Sequence, residues 1–78
     1  MTPEIVREDR FSLHVYREHG GKHHLPHVHI RRHDGSPTSV LSLPLLNLIV
    51  GAPPSKAERT VLVDSLPTLV AKWSELND

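Results

Sequence analysis

Hydrophobic and polar residues alternate at two places in the first half of the chain. Phe11, Leu13 and Val15 are separated by Ser12, His14 and Tyr16, and Val28 and Ile30 are interleaved with His27, His29, Arg31 and His33. A period of two is that of a β-strand with one face buried. Between these runs "EHGGKHHLP" (18–26) reads as a polar loop, with Gly20, Gly21 and Pro26 interrupting regular structure. "DGSP" (34–37) signals a turn, Thr38 to Leu43 reads as a third strand, and "LLNLIV" (45–50) offers a fourth after Pro44. Residues 1–10 show no clean period and read as a loosely ordered N-terminal arm.

The period changes after "GAPPSKAE" (51–58). Ser55 and Glu58 have the spacing of a capping box, in which each residue satisfies a backbone N–H that the first helical turn leaves unpaired. Beyond them Leu62, Leu66, Leu69, Trp73 and Leu76 recur every three or four residues, which is one face of a helix. Pro67 interrupts this run, but the apolar stripe keeps its phase across it. A kinked helix is therefore expected, rather than a second helix capped by Ser65. Trp73, one turn from Leu69, Val70 and Leu76, is expected in the core. The sequence predicts a single α+β domain over residues 1–78: an antiparallel meander of three or four strands, packed by a C-terminal helix.

Composition narrows the setting. A chain of 78 residues without cysteine has neither disulfides nor thiolate ligands to reinforce its core. A core of this size leaves a margin of only ~3–5 kcal/mol, so a homodimer or a protein partner is expected. Nine basic and nine acidic side chains cancel, and the average charge points to neither nucleic acid nor membrane. The longest apolar runs are far below the ~20 residues that span a bilayer, and the N-terminus has no signal-like apolar region. A cytoplasmic protein with no membrane partner is expected.

The histidines change the picture. All seven lie within residues 14–33, beside Lys22, Arg31 and Arg32. A hairpin turning in the 19–26 loop pairs Tyr16 with His29, Glu18 with His27 and His14 with Arg31. Ser12, His14, Tyr16, His27, His29, Arg31 and His33 then share one polar face, opposite Phe11, Leu13, Val15, Val28 and Ile30.

Three chemistries suit such a face. His27-x-His29 sets two imidazoles ~6.6–7 Å apart along a strand, close enough to share a zinc ion. His14 or a histidine of the loop is a candidate third ligand, although Arg31 on the same face repels a dication. Alternatively His27 and His29, with Tyr16 and Arg31, have the equipment of a metal-independent ribonuclease. One ring would take the 2′-hydroxyl proton, the other would protonate the leaving oxygen, and the guanidinium would stabilise developing charge. The third reading needs no cofactor. The face, with Lys22, His23, His24, Arg32 and His33, or else the helix, is a binding surface for a protein partner, with RNA as a further contact. Because Arg31 disfavours a metal and no motif fixes a catalytic geometry, the binding surface is the expected role.

"LPHVHI" (25–30), preceded by a tyrosine-containing strand and followed by "GAPPSKAE" and a helix ending "KWSELND", resembles the small bacterial family catalogued as domain of unknown function 4160. That family is marked by a Pro-Pro-His-x-His strand and a tryptophan near the end of its C-terminal helix. The resemblance covers roughly residues 11–77. Pro26, His27, His29 and Trp73 match, whereas Leu25 stands where the first proline is usual and no acidic residue is evident near Lys22. The resemblance implies a member of a toxin–antitoxin-like pair, and hence a partner. It implies no chemistry.

Overall fold

The computed structural model describes residues 4–17 and 25–77. Its most N-terminal segment is a strand, not the loose arm expected from the sequence. Strand β1 (Glu4–Arg7) pairs antiparallel with β2 (Phe11–His14), which pairs in turn with β3 (His27–Arg32). The meander continues through β4 (Ser39–Ser42) to β5 (Leu48–Val50), giving five strands in sequential order. The β1–β2 register shifts between Glu4 and Val6. This bulge explains why the N-terminal segment lacks a readable period. Ile5 and Val6, consecutive in sequence, both pack against the core, while Glu4 and Arg7 stand opposite His14 and Ser12.

The β2–β3 hairpin keeps the predicted faces but not the predicted register. His14 lies opposite His29 and Ser12 opposite Arg31, in place of the expected Tyr16–His29 and His14–Arg31 pairs. The slip is two residues, one full pleat, so no side chain changes face. Phe11, Leu13, Val15, Val28 and Ile30 are all buried, together with Leu41, Leu43, Leu62, Leu69 and Trp73.

The last five rings and branches of that core belong partly to the helix α1 (Lys56–Asn77), which runs unbroken through Pro67. Its first turn is closed as the capping box requires. The Glu58 N–H donates to Ser55 Oγ at 3.1 Å, and Glu58 Oε1 accepts from the Ser55 N–H at 2.8 Å. The same carboxylate receives Arg32 from the sheet through two 2.9 Å bonds, Nε to Oε2 and Nη2 to Oε1. A fork-to-fork ion pair thus fixes the start of the helix against β3. Ser39 completes the joint. Its hydroxyl accepts from Arg32 Nη1 at 2.7 Å and donates to the Ala52 carbonyl at 2.6 Å.

Gly51 makes that joint possible. Its φ is +90°, and a Cβ there would meet the Thr38 carbonyl oxygen at 2.7 Å and Ser39 Cα at 2.9 Å. Only glycine lets the chain turn from β5 to the helix so close to β4. At the other end of α1, Arg17 Nε donates to the Leu76 carbonyl at 2.9 Å, and Asn77 Nδ2 donates to the Tyr16 carbonyl at 3.2 Å. The helix has no basic residue in its last turn, so Arg17 supplies a cation where the helix dipole favours one. Among the described residues, no helix is long and apolar enough to cross a membrane.

Candidate functional site: the polar face of the sheet

β1 turns β2 from an edge strand into an interior one, and this alters the polar face. Ser12 and His14, expected in solvent, are 2% and 7% exposed. Their short side chains are shaded by longer neighbours on both flanks. They form part of the lining of an open depression of about 690 Å³, together with Glu4, Arg7, Arg31, Arg32, His33, Gly35, Ser36 and Thr38.

A chain of hydrogen-bonding atoms crosses the bottom of this depression. Ser12 Oγ is 2.8 Å from His14 Nε2 and 3.3 Å from His33 Nε2, and His33 Nδ1 donates to the Asp9 carbonyl at 3.2 Å. With Nδ1 of His33 as its donor, a neutral His33 offers Nε2 as an acceptor. Ser12 then donates to His33 and accepts from Nε2–H of His14. This leaves His14 Nδ1 as a buried acceptor without a hydrogen-bond partner among the described residues. Burial holds the His14 ring below its ordinary titration range. Glu4 opposes that shift, and Arg31, His33 and Arg7 reinforce it.

Charge is unevenly committed around the depression. Arg7 is paired with Glu4 at 2.9 Å. Arg31 is exposed, and no hydrogen bond or ion pair holds its guanidinium among the described residues. Arg32, predicted as a binding residue, points to the helix side of β3, and its guanidinium is spent on Glu58, Ser39 and the Pro37 carbonyl. The alternation that put Arg31 on the polar face required this. His33 does reach the polar depression. Lys22, His23 and His24 lie outside the described residues.

A second open depression, also about 690 Å³, adjoins the first and is lined by Tyr16, Arg17, His29, Arg31 and Thr38. Arg31 and Thr38 are common to both. Rings run in series past this region. Tyr16 stacks on His14 at 6.0 Å between centroids and meets His29 edge-on at 4.7 Å. His29 is 5.1 Å from His27, which is 4.8 Å from Trp73.

The contact with Trp73 redefines His27. It sits at the start of β3, where the end of α1 crosses, with Nδ1 donating to the Leu25 carbonyl at 2.7 Å. Its ring is therefore half-buried beside the core and not in the middle of a solvated face. Among the described residues no group of three or more histidine, aspartate or glutamate side chains is arranged to hold a metal ion. His14, one expected third ligand, has Nε2 turned to Ser12, and the loop histidines, the other, lie outside the described residues.

Sequence reasoning passed over Ser12, Glu4 and Arg7 as site residues. The alternation did put Ser12 on the correct face. Glu4 and Arg7 could have been found only by allowing one extra residue in "EIVR". Comparison with protein-family models, curated proteins and solved structures returned no match.

Proposed function

We propose that this protein is a binding module, a member of a toxin–antitoxin-like pair, that takes a phosphate-bearing ligand, RNA, on the polar face of its sheet and a protein on its β5 edge. The observation that carries the RNA reading is the position of Arg31. Its guanidinium is unengaged among the described residues and borders two depressions, one of them floored by the Ser12 hydroxyl and flanked by His33 and Arg7. A guanidinium with free donors is suited to bidentate contact with phosphate oxygens. The protein contact is supported by β5, an edge strand whose Leu48, Ile49 and Val50 are 42%, 51% and 57% exposed.

The test is binding of a fluorescein-labelled RNA by anisotropy across a salt series. Arg31→Gln is expected to weaken binding and to lower the salt slope by about one. Unchanged affinity and slope would remove Arg31 from the interface, and no binding by the parent at low salt would end the RNA reading.

One observation favours a second reading, a metal-independent ribonuclease, because Ser12 Oγ lies within hydrogen-bonding distance of two imidazoles, His14 and His33. This pair replaces His27 and His29, whose rings lie toward Trp73 and Tyr16. It ranks second because His14 is too enclosed to touch a 2′-hydroxyl itself. Recovery of intact RNA after incubation with chelator excludes it; cleavage that is bell-shaped in pH establishes it.

A further inference from the structure

We infer that the ligand of the polar face is single-stranded, with one phosphate held in the Ser12–His33 depression and an adjoining unpaired base laid in the Tyr16–His29 depression. This inference rests on the RNA reading above and specifies the form of nucleic acid.

The two depressions are chemically different and adjacent. The first is lined by two guanidinium groups, Arg31, which is unengaged among the described residues, and Arg7, which is paired with Glu4, beside the Ser12–His33 hydrogen bond. The Arg31 donors suit an oxyanion. The second has two rings, Tyr16 and His29, with Thr38 and the Arg31 guanidinium. Arg31 and Thr38 line both, so the two depressions border each other at these residues. A sheet face that sets aromatic rings beside a cationic groove suits single-stranded nucleic acid. The rings and the guanidinium plane take the π-face of a base, and the cations follow the backbone.

Duplex does not fit this arrangement, because its bases are stacked on each other and their faces are closed to side chains. The position of Tyr16 is fixed for such a role. Its carbonyl accepts from Asn77 Nδ2 at 3.2 Å, and its ring meets His14 and His29. Its ring is half-buried, neither sealed in the core nor loose in solvent. Arg17 also lines this depression and is tied to the Leu76 carbonyl. Nothing here reads base identity, so the preference is for an unpaired base of any kind.

The experiment compares four fluorescein-labelled probes on the full chain at low salt. These are a five-nucleotide RNA, the same sequence as DNA, a strand with the same number of phosphates but no bases, and an RNA duplex. The RNA, the DNA or both should bind about tenfold or more tightly than the abasic strand, and more tightly than the duplex. Tyr16→Leu, which keeps an apolar side chain of similar bulk, should bring the base-bearing strand down to the abasic level. Arg31→Gln should weaken both. Equal affinity for abasic and base-bearing strands, or tighter binding of duplex, overturns the inference and leaves the phosphate site standing. Failure of every probe to bind overturns the RNA reading and this inference with it. If Tyr16→Leu fails to fold, judged by circular dichroism, the abasic comparison on the parent chain still decides the matter.

Discussion

The His14 ring is a titratable group held where water hardly reaches, and its consequence is a dependence of stability on pH. Its native titration lies below the unfolded value near ~6.5, chiefly through burial. Between those two values the unfolded chain binds more protons than the folded one, so stability falls as pH falls through that window. Glu58 adds a lower step. The hydrogen bond from Arg32 holds its carboxyl below the usual range, so its contribution is present above that range and is lost as acid protonates it. Thermal unfolding followed from pH 8 to pH 5 should show the melting temperature dropping below about pH 6.5. In His14→Gln this upper slope should be smaller, whatever the variant's absolute stability. An unchanged slope would mean that His14 protonates as readily in the folded protein as in the unfolded one.

At the level of elements, the helix and the bulge show opposite uses of an irregularity. Pro67 leaves the Val63 carbonyl without its intrahelical donor, yet α1 continues to Asn77 because Leu62, Leu69 and Trp73 are buried on the sheet. Tertiary packing outweighs a local penalty that amounts to ~3 kcal/mol relative to alanine in a helix interior. Pro67 is exposed, so Pro67→Ala should stabilise the protein by ~1–3 kcal/mol in a denaturant titration. A loss of stability instead would show that a bend at Pro67 is needed to seat Trp73 and Leu62 together. The bulge in β1 gives up regular pairing at one residue and gains a change of face. One extra residue brings Glu4 and Arg7 to the same face, where they pair at 2.9 Å beside the His14 depression.

Across the whole molecule, the two sheet edges are not equivalent. β1 carries Glu4, Arg7 and a bulge, the features by which an edge resists further pairing. β5 is Leu48-Ile49-Val50, with no charge, and all of it is exposed. A chain of 8.8 kDa with a small core gains most from covering this edge. Sedimentation at micromolar to millimolar concentration should show association, and Ile49→Lys should shift the equilibrium toward the monomer. A parent chain that stays at 8.8 kDa at every concentration would leave β5 for a different protein.

The sequence by itself determined the elements whose signal is local. Alternation assigned Leu13, Val28 and Ile30 to the core and Ser12, His29 and Arg31 to the other face, because a strand's side chains can point only two ways. The capping box at Ser55 and Glu58 and the stripe from Leu62 to Trp73 likewise fixed the helix and its buried face. What depended on distant partners was decided only by the tertiary structure. A slip of one pleat preserves every face, so the pattern could not choose between Tyr16 and His14 as the partner of His29. The bulge hid β1, and without β1 nothing indicated that Ser12 and His14 would be enclosed. Arg32 found Glu58 across 26 positions of chain, and His27 found Trp73, contacts that exist only once the helix lies on the sheet. The histidines were legible as a cluster. Which of them face a ligand depended on the position of β1 and the end of α1, because burial is set by neighbours in space.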